Sequence, residues 1–66
     1  MTKWGGSKPI KCDICKEPFT TTFIDANTRT GQWCKLCPLC HKVIGVGLGT
    51  GRGQLYDLKT LEKLEG

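Results

Sequence analysis

The sequence predicts a small metal-stabilised β domain with a three-stranded antiparallel sheet and a short C-terminal helix. The chain has 66 residues, and five of them are cysteines in two closely spaced groups. Domains shorter than about 70–80 residues usually need a metal, disulfide bonds or a partner to hold their fold. The segments around the cysteines are rich in β-branched and aromatic residues, which favour strands.

The cysteines favour metal binding over disulfide bonding. Their number is odd, and the N-terminus shows no apolar core of a signal peptide. We therefore expect a cytoplasmic chain with reduced thiols, a setting in which clustered cysteines more often bind metal. No apolar run approaches the roughly 20 residues that cross a bilayer, so no membrane partner is expected.

Two cysteine segments have the spacing of a structural zinc site. Cys12 and Cys15 form one Cys-x-x-Cys unit, and Cys34, Cys37 and Cys40 form two overlapping units. Two such pairs, separated by about 20 residues, can place four thiolates in a tetrahedron at about 2.3 Å from one zinc ion. We expect one structural Zn²⁺ per chain.

Local chemistry selects four of the five cysteines. Proline after the first cysteine of a tight turn presets φ, and Pro38 has this place only if the pair is Cys37 and Cys40. If residues 32–37 are extended, Cys34 shares a face with Leu36 and becomes a small buried residue. The predicted metal ligands are therefore Cys12, Cys15, Cys37 and Cys40.

Two alternative ligand sets stay open. In the first, Cys34 takes the place of Cys40, since Cys34 and Cys37 have the same spacing. In the second, His41 replaces Cys40, because imidazole is also a zinc ligand. The simpler interpretation of His41, which we favour, is a polar residue that follows the turn.

The cysteine motif resembles that of the zinc ribbon family, in which Cys-x-x-Cys, a β-hairpin and Cys-Pro-x-Cys follow one another. The resemblance covers residues 12 to about 48, and the segment 37–54 is also similar to small zinc-ribbon proteins of bacteriophages and prophages. It implies a zinc-bound accessory protein in a bacterial host cytoplasm. Rubredoxins share the Cys-Pro-x-Cys turn, so iron is an alternative metal. Many family members have glycine after the second cysteine of each turn, where this chain has Lys16 and His41.

The first half of the chain predicts an arm and a hairpin. Residues 1–10 are predicted to form a flexible basic N-terminal arm, with Trp4 docked over the small core. Residues 19–25 are rich in Phe, Thr and Ile and predict the first strand. Residues 27–31 contain the asparagine and glycine of a turn, and residues 32–37 return as the second strand.

The second half predicts a third strand, a loop and a helix. The ribbon spans 11–54, and its third strand covers 43–48. The glycine-rich segment 45–54 begins in that strand and continues as a loop. Residues 55–66 are predicted to form a short C-terminal helix, with Asp57 as N-cap and leucines at helical spacing: Leu58, Leu61 and Leu64.

The charge of the chain is mildly basic. The formal net charge is +4, and a zinc ion with four thiolates would lower it to about +2. That is low for a nucleic-acid-binding protein, which more often carries a strong basic stripe. Three residues near the hairpin and the second cysteine pair, together with the one charged residue of the glycine-rich loop, are still the candidate partner-binding surface: Trp33, Lys35, Lys42 and Arg52. The simpler alternative is a soluble charged surface with Trp33 covering the hairpin.

These observations predict a non-catalytic binding module. A four-cysteine zinc site has no open coordination position, so we expect neither an enzyme nor a small-molecule substrate. We expect contact with nucleic acid or the transcription machinery, where zinc ribbons recur as a family. The alternative is a protein–protein adaptor, or an inhibitor of a host or viral enzyme, that binds through the glycine-rich strand or the C-terminal leucine helix.

Overall fold

A four-stranded antiparallel sheet organises residues 3–66, the part of the chain that the computed structural model describes. The elements are β1 (Thr22–Asn27), β2 (Trp33–Leu36), helix α1 (Pro38–Ile44), β3 (Gly53–Asp57) and β4 (Lys63–Glu65). The strand order is β2-β1-β3-β4, so β1 and β3 lie in the middle. The prediction of an antiparallel β domain is confirmed, but the sheet has four strands rather than three.

One face of the sheet is buried along β1 and β2. Ile24 lies opposite Leu36, and Ala26 lies opposite Cys34. All four side chains are buried, as expected for residues that alternate along paired strands. The predicted burial of Cys34 beside Leu36 is therefore confirmed. Helix α1 packs against the same two strands, β1 and β2.

The other face carries an aromatic cluster. Phe23 lies opposite Tyr56, and their rings stack at 5.3 Å with an interplanar angle of 13°. Trp4 meets both rings edge-on, at 5.3 Å from Phe23 and 5.5 Å from Tyr56. The amide of Trp4 also donates to the carbonyl of Leu61 at 2.7 Å. Trp4 thus docks on the core, while residues 1–2 of the predicted arm lie outside the described residues.

The remainder of that second face carries four polar residues and one tryptophan. Because side chains alternate along a strand, Asp25 and Asn27 of β1 lie on the side of Phe23. Trp33 and Lys35 of β2 pair with these two residues, and Gln54 of β3 pairs with Asp25. We call these five residues the open half-face: Asp25, Asn27, Trp33, Lys35 and Gln54.

The predicted C-terminal helix at 55–66 is wrong. This segment completes β3 and then forms a turn and β4. The carboxylate of Asp57 accepts from the amides of Lys59 and Thr60 at 2.8 and 2.9 Å, so the predicted N-cap closes a tight turn instead. Leu61 has φ of 64°, a left-handed conformation that is incompatible with a right-handed α-helix through this residue.

The predicted third strand at 43–48 is also wrong. Val43 and Ile44 are the last residues of α1, and the chain then forms a loop until β3 begins at Gly53. Within the glycine-rich segment, Gly49 and Gly53 exchange backbone hydrogen bonds of 2.8 and 3.0 Å around a three-residue turn. Gly45 pairs with Thr28 through an isolated bridge. Within residues 3–66, no helix is long and apolar enough to cross a membrane.

Gly53 is a position where close packing in the sheet requires a glycine. An added Cβ would lie 2.7 Å from the Cβ of Ala26 and 3.1 Å from the carbonyl oxygen of Gly47. Both neighbours belong to packed backbone segments and cannot move aside easily. Close packing, rather than unusual backbone geometry, therefore fixes the residue type here.

We expect Gly53→Ala to lower the free energy of unfolding by about 1–3 kcal/mol, because the added methyl group overpacks a filled site. Chemical denaturation of the metal-loaded protein measures this change. Gly5→Ala is the matched control, since a Cβ at Gly5 meets no atom within 4 Å. Equal unfolding free energies for the two variants would show that the contact with Ala26 does not limit packing.

Candidate metal centre

Four cysteine sulfurs form a compact cluster at one end of β2. The Sγ atoms all lie within 4.8 Å of one another and belong to Cys12, Cys15, Cys37 and Cys40. Cys12 is fully buried and Cys15 is exposed, so the cluster spans the boundary between core and solvent. These are the four residues that the sequence analysis selected.

The first pair is held by a tight turn. The amide of Cys12 donates to the carbonyl of Glu17 at 3.0 Å, and the amide of Lys16 donates back to the carbonyl of Cys12 at 3.1 Å. Lys16 has φ of 65°, so a lysine takes the left-handed position where many zinc ribbons have glycine. The amide of Ile14 donates to the sulfur of Cys12 at 3.4 Å, a contact that stabilises a thiolate.

The second pair lies at the start of helix α1. Cys37 is the N-cap residue, and its sulfur accepts from the amide of Cys40 at 3.4 Å. Pro38 occupies the first helical position, where its fixed φ suits a helix and its missing N–H is not needed. The proline that predicted this pair therefore also begins the helix that the sequence analysis missed. His41 is a helical residue here and needs no positive φ.

The outer edge of β2 joins the two pairs. The amide of Asp13 donates to the carbonyl of Lys35, and the amide of Lys35 donates to the carboxylate of Asp13, both at 2.9 Å. The first cysteine turn thus lies against the strand that leads directly into Cys37. These two hydrogen bonds hold the two cysteine pairs next to each other. They also satisfy part of the outer edge of β2, which would otherwise be unpaired.

The thiols of the cluster have divergent proton affinities. Burial raises the pKa of Cys12, but hydrogen bonds from the amides of Cys15, Cys37 and Ile14 outweigh it and bring the pKa down to about 6. Burial and the neighbouring thiols raise the pKa of Cys40 to about 12. The pKa of Cys15 is also raised, although an amide hydrogen bond at Glu17 opposes the rise. Without a cation, repulsion prevents four adjacent thiols from all ionising.

The spacing of the sulfurs fits a tetrahedral metal ion. A metal–sulfur distance of about 2.3 Å places neighbouring sulfurs of a tetrahedron about 3.8 Å apart. The sulfurs of Cys15 and Cys37 are 3.8 Å apart. A divalent cation would supply the positive charge that lets all four thiols ionise, so the cluster has both the geometry and the chemistry to hold a metal ion.

The two alternative ligands lie outside this cluster. Cys34 is buried in the sheet, and its sulfur donates to the carbonyl of Gln32 at 4.0 Å. His41 directs Nε2 at the carbonyl oxygen of Gly47, 2.9 Å away, and donates to it. The imidazole therefore anchors the glycine-rich loop.

The four predicted partner-binding residues occupy two places. Trp33 and Lys35 lie on the open half-face, and 46% of the surface of Trp33 is exposed. Lys42 is exposed near the end of α1, and Arg52 is exposed in the turn before β3. The carbonyl of Arg52 accepts from the amide of Asn27, the pairing partner of Trp33, so Arg52 and Trp33 approach the same end of the sheet.

Sequence reasoning missed three exposed apolar side chains beside the metal ligands. Ile14 lies inside the first cysteine turn, Leu39 lies between Cys37 and Cys40, and Val43 follows Leu39 by one helical turn. Their exposed fractions are 48%, 73% and 59%. The signal was present in the sequence, because an apolar residue, Ile14 or Leu39, occupies the second variable position of each Cys-x-x-Cys turn.

Comparison with known proteins assigns no family to this chain. No family model matches it, and neither the curated proteins nor the solved structures contain a match. The resemblance to zinc ribbons of phages therefore stays a prediction from the motif, while the four-cysteine cluster is a property of the fold itself.

We expect Cys34→Ser to retain one metal ion per chain and Cys37→Ser to lose it, because only Cys37 lies in the sulfur cluster. The two variants are a matched pair, since each removes one thiol, that of Cys34 in β2 or that of Cys37, the residue that directly follows β2. Metal analysis of the purified variants measures the ratio. Loss of metal from Cys34→Ser with retention in Cys37→Ser would mean that the ligand set is wrong.

Proposed function

We propose that the cluster holds one structural Zn²⁺ and that the chain is a non-catalytic module that binds single-stranded nucleic acid. Four thiolates in a tetrahedron are a common structural zinc site, and iron in the same site is the alternative. Such a site has no open coordination position for water or substrate. The proposed role of the metal is therefore to hold a surface in place.

The distribution of charge carries the proposal for nucleic acid. Residues 26–56 contain four Lys or Arg residues and no Asp or Glu. The remainder of the chain contains six of each sign, so the whole formal charge of +4 comes from this one segment. The basic residues of the segment are Arg29, Lys35, Lys42 and Arg52.

The fold brings three parts of this acid-free segment together. The amide of Arg29, in the turn between β1 and β2, donates to the carbonyl of Ile44 at the end of α1, at 3.0 Å. The amide of Asn27 donates to the carbonyl of Arg52 at 2.8 Å. The hairpin turn, the end of α1 and the turn before β3 thus meet at the end of β2 away from the metal ligands. We call this region the basic end.

An exposed aromatic ring adjoins the basic end. Trp33 begins β2 and is 46% exposed, although tryptophan is normally well covered. Aromatic side chains beside basic residues provide stacking surfaces for the bases of single strands, while Lys and Arg contact the phosphates. This combination favours a single strand, because the bases of a duplex are already stacked on one another.

A second candidate function is protein binding. The apolar side chains of Ile14, Leu39 and Val43 are exposed beside the metal ligands, and such patches often mark protein contacts. The two segments that the sequence analysis assigned to this role are not available as predicted, because neither the leucine helix nor the glycine-rich strand forms. Protein binding at the apolar patch would depend little on salt.

We expect the metal-loaded protein to bind a single-stranded 15-mer of dT at low salt, with an affinity that falls as salt rises. Arg52→Ala combined with Lys42→Ala should weaken binding. It should also reduce the salt slope by about 0.7 for each phosphate that the variant no longer neutralises. Fluorescence anisotropy at several salt concentrations measures both quantities.

Lys8→Ala combined with Lys59→Ala is the matched control, since it removes the same charge from exposed lysines outside the acid-free segment. This control should lose less affinity than the double variant of the basic end. Equal losses would mean that charge alone, not the basic end, attracts the strand. No binding by the wild type at low salt would reject nucleic acid and leave protein binding as the function to test.

A further inference from the structure

Asp25 is the only carboxylate on the open half-face, within the part of the chain that the structure describes. It lies directly opposite Lys35 on β2 and Gln54 on β3. It is half-buried, and burial raises its pKa while the positive charge of Lys35 lowers it. If this surface only bound phosphates, a carboxylate next to the basic end would be unexpected, because a carboxylate repels phosphates.

The polar neighbours of Asp25 are already engaged, but its own carboxylate is free. Asn27 Oδ1 accepts from the amide of Thr28 at 2.9 Å, and Gln54 Nε2 donates to the carbonyl of Gly49 at 3.4 Å. Within residues 3–66, every buried side-chain nitrogen or oxygen atom has a hydrogen-bond partner. The oxygens of Asp25 make no hydrogen bond there, so they must be accessible from solvent. The open half-face therefore presents one free carboxylate beside one lysine.

We propose that Asp25, Lys35 and Trp33 bind a guanine base of the single strand, an inference that rests on the proposed nucleic-acid function. The Watson–Crick edge of guanine has the O6 acceptor beside two donors, N1–H and the N2 amino group. A carboxylate has two acceptor oxygens for those donors, and an ammonium group can donate to O6. The side chains of directly opposed residues such as Asp25 and Lys35 begin about 4.5–5.5 Å apart, close enough to meet one base edge.

The other bases fit this pair poorly. Adenine and cytosine place an acceptor next to their single amino group, and uracil and thymine place one N–H between two acceptors. Each would therefore set an acceptor atom against the carboxylate. Proteins read the Watson–Crick edges of unpaired bases in this way when the strand is single, which agrees with the proposed substrate class.

Trp33 provides the platform for the same base. It lies two residues before Lys35 on the same face and pairs with Asn27, which makes it a diagonal neighbour of Asp25. Diagonal neighbours on a sheet are about 7–8 Å apart, within reach of a purine that stacks on the indole ring. The amide of Asn27 also bonds the carbonyl of Arg52, so the phosphates of the bound nucleotide would point towards the basic end.

The test uses four 11-mers of dT that differ only in the central base: dG, deoxyinosine, dA or dC. Deoxyinosine lacks the N2 amino group and so removes one of the two donors. We expect the metal-loaded wild type to bind the dG strand about tenfold more tightly than the dA or dC strand, with deoxyinosine in between. Fluorescence anisotropy at one fixed salt concentration gives the four affinities.

Asp25→Asn should bind the four strands with affinities within about twofold of one another, because an amide offers only one acceptor. Glu65→Gln is the matched control, since it removes an exposed carboxylate from β4, and it should keep the preference for dG. Metal content and a far-UV spectrum verify that both variants fold. If Asp25→Asn does not fold, equal binding of the dG and deoxyinosine strands by the wild type would still overturn the guanine site.

The outcomes separate this proposal from the one on which it rests. Binding of all four strands with equal affinity by the wild type would overturn the guanine site and leave the nucleic-acid function standing. Binding of none of them would overturn both. A preference for dG that survives in Asp25→Asn would show that another part of the surface reads the base.

Discussion

Four thiols held within 4.8 Å of one another are the constraint on which this fold depends. They join the first cysteine turn, the edge of β2 and the start of α1, which two hydrogen bonds between Asp13 and Lys35 also connect. The cluster also has an electrostatic requirement. Its thiols cannot all ionise unless a cation is present, so we expect metal binding and folding to be coupled. Within residues 3–66, eight apolar residues are buried, a core that gives little stability of its own.

The two faces of the sheet differ in the role that we assign to them, one in stability and the other partly in the proposed function. One face is buried along β1 and β2, and part of the other is covered by Trp4, Phe23 and Tyr56. The open half-face is what remains, and it lies next to the basic end. The four clustered cysteines lie at the opposite end of β2, so the −2 charge of the proposed zinc–thiolate site would lie away from the residues proposed to contact phosphate. This arrangement reconciles a mild net charge with a locally basic surface.

The four-cysteine cluster and the first hairpin could be predicted from the sequence, because both depend on local chemistry. Pro38 and the alternation of Cys34 with Leu36 selected the ligand set without any long-range information. The elements after Cys40 could not be predicted in this way. The leucine spacing near the C-terminus fits a helix and also fits a turn between strands, and only the left-handed φ of Leu61 distinguishes the two. Likewise, Asp57 can cap a helix or close a turn, and pairing with β1 decides which. The basic end is also a product of folding, since its basic residues are far apart in the sequence.

The most direct test of this account is a zinc titration of the metal-free chain, followed by amide proton–nitrogen correlation spectra. Protein stripped of metal by acid and chelator should give a narrow spectrum of an unfolded chain. One equivalent of Zn²⁺ should restore dispersed signals throughout residues 3–66, because apparent zinc binding of about 10–16 kcal/mol exceeds what this core can provide. A dispersed, native-like spectrum in the fully metal-free protein would contradict the claim that the thiolate cluster holds the fold.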